Sequence, residues 1–350
     1  MAVTLGKTRR TESGLSVSFT HCIISLAALR LAVLVKVVSV SCPRLNYTFH
    51  HPVLPIMPMI LENKELQLEI DAPNELYQGA RFDWSGQISQ IRYRNKHTFC
   101  TTENKDTASQ KLLGRGLHNE FGIDAALGYE DCPLGEQFHK IGVGLLTKAT
   151  KDTYQFYTNY DIEPAIFCIQ NDGLSATFTV TPRPIRGHSY VLVKRIELVD
   201  DSFTIHYHLT NTGNFPIHTT EYVHNFLSMD GHPLDHQYIL RFPFQIDTSL
   251  FSETVNPDHI VSFNDNRLTW NTTPQAPFFF SDMNPTHQQL SWELEHSGAK
   301  IGIREIPSFD VQRINVWGTG HVVSPEIFYP IHLLPGQNCK WARKYDIYSI

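Results

Sequence analysis

The sequence has no pair of cysteines in a C-x-x-C arrangement, no long basic run and no internal repeat. Beyond about residue 60 it also has no stretch with three clean turns of helical periodicity. Its cysteines occur singly, with no spacing typical of a zinc site, at Cys22, Cys42, Cys100, Cys132, Cys168 and Cys339. Scattered thiols of this kind fit a reducing compartment. A formal net charge of −6 without a basic patch argues against a nucleic-acid partner.

The N-terminal segment differs in composition from the rest of the chain. A basic start, "KTRR" at 7–10, precedes an apolar run at 22–42, which is typical of a signal peptide or a membrane anchor. However, Arg30 and Lys36 interrupt the run, and each costs roughly 2.5–3.5 kcal/mol at a bilayer centre. A third interpretation is a dispensable or mis-assigned extension upstream of Met57. We therefore expect a leader, anchor or extension at 1–56 and one domain at 57–350. We expect a cytoplasmic location, with anchoring or export through residues 1–42 as the alternative and membrane contact only if 22–42 is an anchor.

From about residue 60 the pattern is one strand after another. Segment 189–213 predicts two long strands joined at Asp200-Asp201, and in the second strand alternate residues from Phe203 to Leu209 share one face. Aromatic residues at 11%, together with 20 glycines and 20 prolines, also favour an all-β protein. We expect one antiparallel β domain whose wide sheets pack face to face.

A first candidate site lies in "LTNTGNFPIHTTEYVHNFLSMDG", residues 209–231. A strand is predicted to end at Asn211, turn through Gly213-Asn214 and return from Pro216, with His224 in the middle of the return segment. A histidine is a suitable general acid near neutral pH. The chain has 18 histidines, however, and most of them must have no catalytic role.

A second candidate site lies in "VSPEIFYPIHLLPGQ", residues 322–336, where Glu326 has apolar neighbours and a Pro335-Gly336 turn follows. Partial burial raises the pKa of a carboxyl group, which suits an acid that must accept a proton near neutral pH. The alternative is a glutamate at the end of a strand with no catalytic role.

The two segments together resemble the galactose mutarotase (aldose 1-epimerase) superfamily over roughly residues 60–350. In that family N-x-G/D-x-x-P precedes T-N-H-x-Y-F-N-L-x-G, and an acid near the C-terminus precedes a Leu-x-Pro-Gly turn. His224 takes the place of the motif histidine, Gly231 stands at the matching distance, and Glu326 precedes the turn ending at Gly336. Tyr222-Val223 replace T-N, and the residues after His224 also depart from the motif. The resemblance therefore indicates a divergent member.

This resemblance implies a β-supersandwich of antiparallel sheets that interconverts the anomers of an aldose. Glu326 would take the proton of the C1 hydroxyl as the catalytic base, and His224 would donate a proton to the ring oxygen. Because both steps are proton transfers, neither a metal nor an organic cofactor is expected. The expected partner is a small-molecule sugar, either an aldose or a sugar phosphate.

The resemblance also suggests substrate-binding residues. Arg81, Arg115 and His118 fall in the early region that borders the pocket in hexose-phosphate epimerase relatives, and His139 in "FHKIGVG" takes the place of a substrate-contacting histidine. Glu120 is expected to accept hydrogen bonds from sugar hydroxyls. The alternatives are that the arginines tie loops to nearby acids and that Glu120 is a surface loop acid.

Two further patterns leave alternatives open. His206 and His208 share one strand face, but no third ligand is evident nearby, so a solvated face is favoured over a metal site. Five tryptophans are candidates for core packing, and one of them for stacking on a sugar, without a signal that selects it: Trp84, Trp270, Trp292, Trp317 and Trp341.

Rival functions remain on the same fold. One is a non-catalytic carbohydrate-binding protein, because fold does not fix function. Another is a lyase or hydrolase of larger glycans. The presence of both Glu326 and His224 favours epimerisation over binding alone, and the lack of a second acid with a clear motif argues against a two-carboxylate hydrolase.

Overall fold

The computed structural model describes residues 58–105, 111–283, 290–311 and 313–350. The leader predicted at 1–56 and its apolar run at 22–42 lie outside these residues, so the predictions about them stay predictions. Within the described ranges, no helix is long and apolar enough to cross a membrane.

Strands make up most of the described chain, and three short 3-10 helices lie between them at Met229–Gly231, Thr248–Leu250 and Pro257–His259. The strands are β1 (Met59–Glu62), β2 (Leu66–Asp71), β3 (Gln87–Tyr93), β4 (His97–Thr98), β5 (Gly116–Phe121), β6 (Gln137–Lys140), β7 (Gly144–Thr147), β8 (Ile162–Pro164), β9 (Ile166–Asn171), β10 (Ser175–Thr181), β11 (Tyr190–Val199), β12 (Ser202–Asn211), β13 (Ile217–Phe226), β14 (Tyr238–Arg241), β15 (Glu253–Val255), β16 (Val261–Asn264), β17 (Arg267–Trp270), β18 (Phe278–Ser281), β19 (Trp292–His296), β20 (Ile301–Pro307), β21 (Arg313–Thr319), β22 (Val322–Leu333) and β23 (Asn338–Ser349).

The described strands form two large sheets and one small sheet. Sheet 1 has the order β1-β2-β3-β5-β13-β22-β21-β18-β15, with β4 beside β3. Sheet 2 has the order β16-β17-β14-β19-β20-β23-β12-β11-β10-β9, and the small sheet has the order β6-β7-β8. Neighbouring strands pair antiparallel throughout both large sheets, for example β13 with β22 and β12 with β23. The all-β prediction with wide antiparallel sheets is confirmed.

The hairpin of β11 and β12 follows the pattern predicted from the sequence. Its strands end at Val199 and begin again at Ser202, and Asp200 at the turn has a positive φ of 53°. Asparagine and aspartate tolerate this left-handed conformation better than most residues. Alternate residues of β12 are buried on the inner face, namely Phe203, Ile205, Tyr207 and Leu209.

A network of buried charges lies between the two large sheets. Arg343 on β23 donates to Glu221 Oε2 on β13 at 2.7 Å and to Glu305 Oε1 on β20 at 2.5 Å. Trp292 Nε1 donates to Glu305 at 2.9 Å, and Trp341 Nε1 donates to Glu221 at 3.0 Å. Because buried ions are tolerated only when they are paired and hydrogen-bonded, this network fixes the position of β13 relative to sheet 2.

The opposite face of β13 points away from this network. Since side chains alternate along a strand, Tyr222 and His224 lie on one face while Glu221 and Asn225 lie on the other. On sheet 1 the strands β5, β13, β22 and β21 are successive neighbours, so four strands contribute side chains to the face that carries His224.

Candidate functional site

The register of β5 and β13 brings two pairs of polar residues face to face. His118 stands directly opposite His224, and Glu120 directly opposite Tyr222. All four side chains are buried. The two members on each strand are two positions apart, so the four side chains share one face of sheet 1.

His224 and Glu326 are in direct contact on the neighbouring strands β13 and β22. Glu326 Oε1 lies 3.3 Å from His224 Nε2, and only 6% and 4% of the two side chains are exposed. Ser324 Oγ donates to Glu326 Oε1 at 3.2 Å and accepts from the Asn225 backbone N–H at 2.9 Å. The carboxyl group is therefore held by a hydroxyl that is itself fixed to the backbone of β13.

Burial favours the neutral form of both groups. It raises the pKa of Glu326 to about 8, although the Arg81 charge and the Ser324 hydrogen bond act in the opposite direction. It lowers the pKa of His224 well below its usual value, and the neighbouring Arg81 and His118 lower it further. Near neutral pH the pair therefore holds one proton, and this proton lies on Glu326.

Glu120 belongs to a second polar group on the same face. Arg81 Nε donates to Glu120 Oε2 at 2.8 Å, and Tyr222 OH donates to the same oxygen at 2.7 Å. Lys140 Nζ donates to Glu120 Oε1 at 3.3 Å. Burial tends to raise the pKa of Glu120, but the charges of Arg81 and Lys140 outweigh it and the pKa is lowered. Glu120 is therefore ionised while nearby Glu326 is protonated.

Aromatic rings enclose the two histidines. Phe226 stacks on His224 with ring centroids 4.0 Å apart, and Trp317 meets His224 edge-on at 5.2 Å. Phe82 meets His118 edge-on at 4.9 Å. Both ring nitrogens of His118 are buried without a hydrogen-bond partner in the described part of the chain. Buried polar atoms are normally hydrogen-bonded, so this imidazole is a candidate for contact with a ligand.

A cavity of about 260 Å³ lies beside this cluster. Its lining includes Tyr77, Arg81, Glu103, Phe156 and Tyr157. Neither residue of the His224–Glu326 pair lines it. The Arg81 guanidinium packs between the rings of Phe82 and Phe156, at 4.5 and 4.4 Å from their centroids. Arg81 therefore both lines the cavity and bonds to Glu120 of the cluster.

The structure brings five of the seven predicted site residues together: His224, Glu326, His118, Glu120 and Arg81. It does not bring the other two to this cluster. Arg115 Nε donates to Asp71 Oδ2 at 2.9 Å, and the Arg81–Glu120 bond is the loop-tying contact considered as the alternative for Arg81. His139 lies on β6, where its Nε2 is 3.1 Å from the His188 carbonyl oxygen. Glu120 is a buried strand residue, so the alternative of a surface loop acid is wrong.

Sequence reasoning missed several residues of the cluster. Tyr222 and Ser324 each lie two residues before a predicted catalytic residue, so strand alternation alone would have placed them on the same face. Lys140 had no such signal, because its contact with Glu120 depends on how the small sheet packs against sheet 1.

The remaining histidine pattern does not form a ligand cluster. His206 Nε2 lies 3.7 Å from Glu197 Oε2, and His208 Nε2 lies 3.2 Å from Asn338 Oδ1. In the described ranges, no group of three or more histidine, cysteine, aspartate or glutamate residues is arranged to hold a metal ion.

Comparison with known proteins shows the fold. No protein-family model matches the sequence, and no curated protein matches it. A galactose mutarotase related enzyme from Lactobacillus acidophilus has 12% identity and a TM-score of 0.53. The match covers 84% of this chain and 98% of that enzyme's chain. A galactose mutarotase-like protein from Lactobacillus casei has 14% identity and a TM-score of 0.51, covering 83% and 100%. Another from Clostridium acetobutylicum has 13% identity and a TM-score of 0.52, covering 83% and 95%. The chain has the galactose mutarotase-like fold, which confirms the predicted fold class.

Proposed function

We propose that this protein interconverts the anomers of an aldose, as an aldose 1-epimerase, with Glu326 and His224 as the proton-transferring pair. The observation that carries the proposal is the 3.3 Å contact between Glu326 Oε1 and His224 Nε2 in a buried site. The solved structures with the same fold are described as mutarotase-related or mutarotase-like, which supports the same reaction class.

The reaction needs one proton donor and one proton acceptor at the same time. Glu326 takes the proton from the C1 hydroxyl while His224 gives a proton to the ring oxygen, and the C1–O5 bond breaks. Rotation about C1–C2 and closure on the other face of the carbonyl give the opposite anomer. The reverse proton transfers close the ring and restore both groups, so no net proton is consumed.

The pair enters this cycle with the correct number of protons. Its single proton lies on Glu326, and this proton must pass to His224 before Glu326 can act as the base. A separation of 3.3 Å allows this transfer with only a small approach of the two groups. The Arg81 charge lowers the pKa of both groups, so it favours the ionised carboxylate of Glu326 and opposes the protonated form of His224.

The second polar group supplies contacts for sugar hydroxyls. Glu120 is an ionised acceptor, and His118 has two ring nitrogens without partners in the described chain. Tyr222 connects Glu120 and Arg81 by accepting from Arg81 at 3.0 Å and donating to Glu120. We assign binding roles to Arg81, His118 and Glu120, and no role at this site to Arg115 or His139.

The experiment that tests the proposal is an anomer-exchange screen. Purified protein is mixed with D-glucose, D-galactose, D-mannose, D-xylose and the 6-phosphates of the hexoses, and exchange between α and β anomers is followed by NMR. Exchange above the spontaneous rate on at least one sugar supports the proposal. Binding of sugars without exchange indicates the non-catalytic carbohydrate-binding function instead.

A further inference from the structure

We infer that Trp317 and Asn315 on β21 form the platform for the pyranose ring, so that the sugar reaches the His224–Glu326 pair from the β21 side of the sheet. The ligand class is a pyranose that lays its apolar C–H face on the indole and offers a hydroxyl to the amide. This inference rests on the proposed function for the identity of the ligand, but its test measures binding separately from turnover.

The register of β21 and β22 places both residues beside the pair. Asn315 stands directly opposite Glu326, and Trp317 directly opposite Ser324. Ile314 and Val316, which alternate with them along the strand, are fully buried on its other face. Asn315 and Trp317 therefore share the face of Glu326.

Trp317 differs from the other tryptophans in exposure. All five tryptophans lie among the described residues, and four of them are buried. The most exposed of these four is Trp341, at 3%. Trp317 is partly exposed, and its ring centroid lies only 5.2 Å from that of His224. A partly exposed indole next to a catalytic pair gains by covering its apolar surface with the C–H face of a sugar ring.

Asn315 adds a directional contact. Its Oδ1 accepts a hydrogen bond from the Asp282 backbone N–H at 3.2 Å. Because this bond uses the amide oxygen, the Nδ2 group keeps its donor capacity for a hydroxyl. Asn315 lies across from Glu326, so a sugar that places O1 at the carboxylate has an adjacent hydroxyl within reach of this strand.

The other side of the pair is closed by the segment that carries Arg81 and Phe82. Phe82 packs against His224 with centroids 6.0 Å apart, and Arg81 is bonded to Glu120 and Tyr222. A sugar on Trp317 approaches the pair with the Arg81–Glu120 ion pair intact.

The test compares variants on the two sides of the pair. Trp317→Phe and Trp317→Ala remove part or all of the platform, and Tyr157→Ala removes an exposed aromatic ring that lines the cavity. Dissociation constants for D-glucose and D-galactose are measured by calorimetry, and kcat and KM by NMR exchange. We expect Trp317→Ala to raise Kd and KM about tenfold with kcat within a few-fold, Trp317→Phe to have a smaller effect, and Tyr157→Ala to have none.

A fluorescence measurement provides a readout that does not depend on turnover. Sugar binding should reduce acrylamide quenching of the wild-type protein and leave that of Trp317→Phe unchanged. A raised Kd in Tyr157→Ala with a normal Kd in both Trp317 variants would overturn the inference in favour of the cavity. If sugars bind without anomer exchange, the proposed function is wrong. The Kd values of the Trp317 variants then still show whether the sugar binds on Trp317. If no sugar binds the wild-type protein, both are overturned.

Discussion

Glu120 and Glu326 are buried carboxyl groups on the same face of one sheet, and their pKa values move in opposite directions. Glu120 contacts two cations, Arg81 and Lys140, which lower its pKa in spite of burial. Glu326 contacts a neutral imidazole and a hydroxyl, and burial raises its pKa to about 8. Two carboxyl groups with separated pKa values can take different roles at one pH. In the proposed function Glu120 accepts hydrogen bonds from sugar hydroxyls and Glu326 exchanges a proton.

The first prediction concerns the pH dependence of kcat/KM. In the proposed reaction the singly protonated His224–Glu326 pair is the active form, and it loses its proton as the pH rises through about 8. A second proton binds only well below pH 6.5, because the pKa of His224 is lowered. We expect a plateau around neutral pH and a fall above about pH 8, measured by NMR exchange after subtraction of the spontaneous rate. If kcat/KM already falls as the pH is raised above about 5, Glu326 titrates as an ordinary carboxyl group.

The second prediction concerns stability. The pKa of Glu326 is about 8 in the folded protein against a usual 4.5, so the folded chain keeps a proton that the unfolded chain releases between these values. This group therefore costs stability as the pH rises through that window, by up to roughly 1.4 kcal/mol per pH unit. The glutamine of Glu326→Gln does not titrate. The melting temperature of this variant minus that of the wild type should therefore increase from pH 5 to pH 8. A constant difference across this range would refute the raised pKa.

The third prediction separates catalysis from binding. His224→Ala should lower kcat strongly and leave sugar affinity within a few-fold of normal, because the ring oxygen gains basicity only as the C1–O5 bond breaks. In the ground state a hydrogen bond to an ether oxygen contributes only about 0.5–1.5 kcal/mol. Calorimetry and NMR exchange on the same sugar measure the two quantities. Weakened affinity with unchanged kcat would assign His224 to binding.

The fourth prediction concerns the buried network behind the site. Arg343→Met leaves the carboxylates of Glu221 and Glu305 without their cation and should destabilise the fold by about 3–5 kcal/mol. Lys344→Met is the matched control, because this neighbouring lysine is half exposed and pairs with Asp346 at 2.8 Å. Its cost should be about 1 kcal/mol or less. Denaturant midpoints compare the two, and equal losses would show that the network contributes little.

The sequence predicts local features of this fold well. Period-two alternation identifies β12 and its buried face, and the turn residues place the hairpin at Asp200-Asp201. These features depend on residues within a few positions of each other. The resemblance to a known superfamily singles out His224 and Glu326, although 102 positions separate them, because each lies in its own local motif.

Contacts that depend on long-range packing could not be predicted in the same way. The Arg81–Glu120 ion pair joins a loop to a strand 39 positions away, and Lys140 arrives from the small sheet. His139 was a candidate because of its motif, yet β6 carries it away from the cluster. The selection of Trp317 among five tryptophans required the register of β21, which no sequence pattern specifies.

Whether Glu326 exchanges a proton with the anomeric hydroxyl is decided by comparing anomer exchange by the wild-type protein and by Glu326→Gln under identical conditions. Two-dimensional NMR exchange spectroscopy at pH 7 is recorded on the sugar that gives the fastest exchange, with calorimetry to show that both proteins bind it. We expect the wild type to catalyse exchange and the variant to lose at least about 100-fold in rate while its affinity is retained. Near-normal exchange by Glu326→Gln would contradict it.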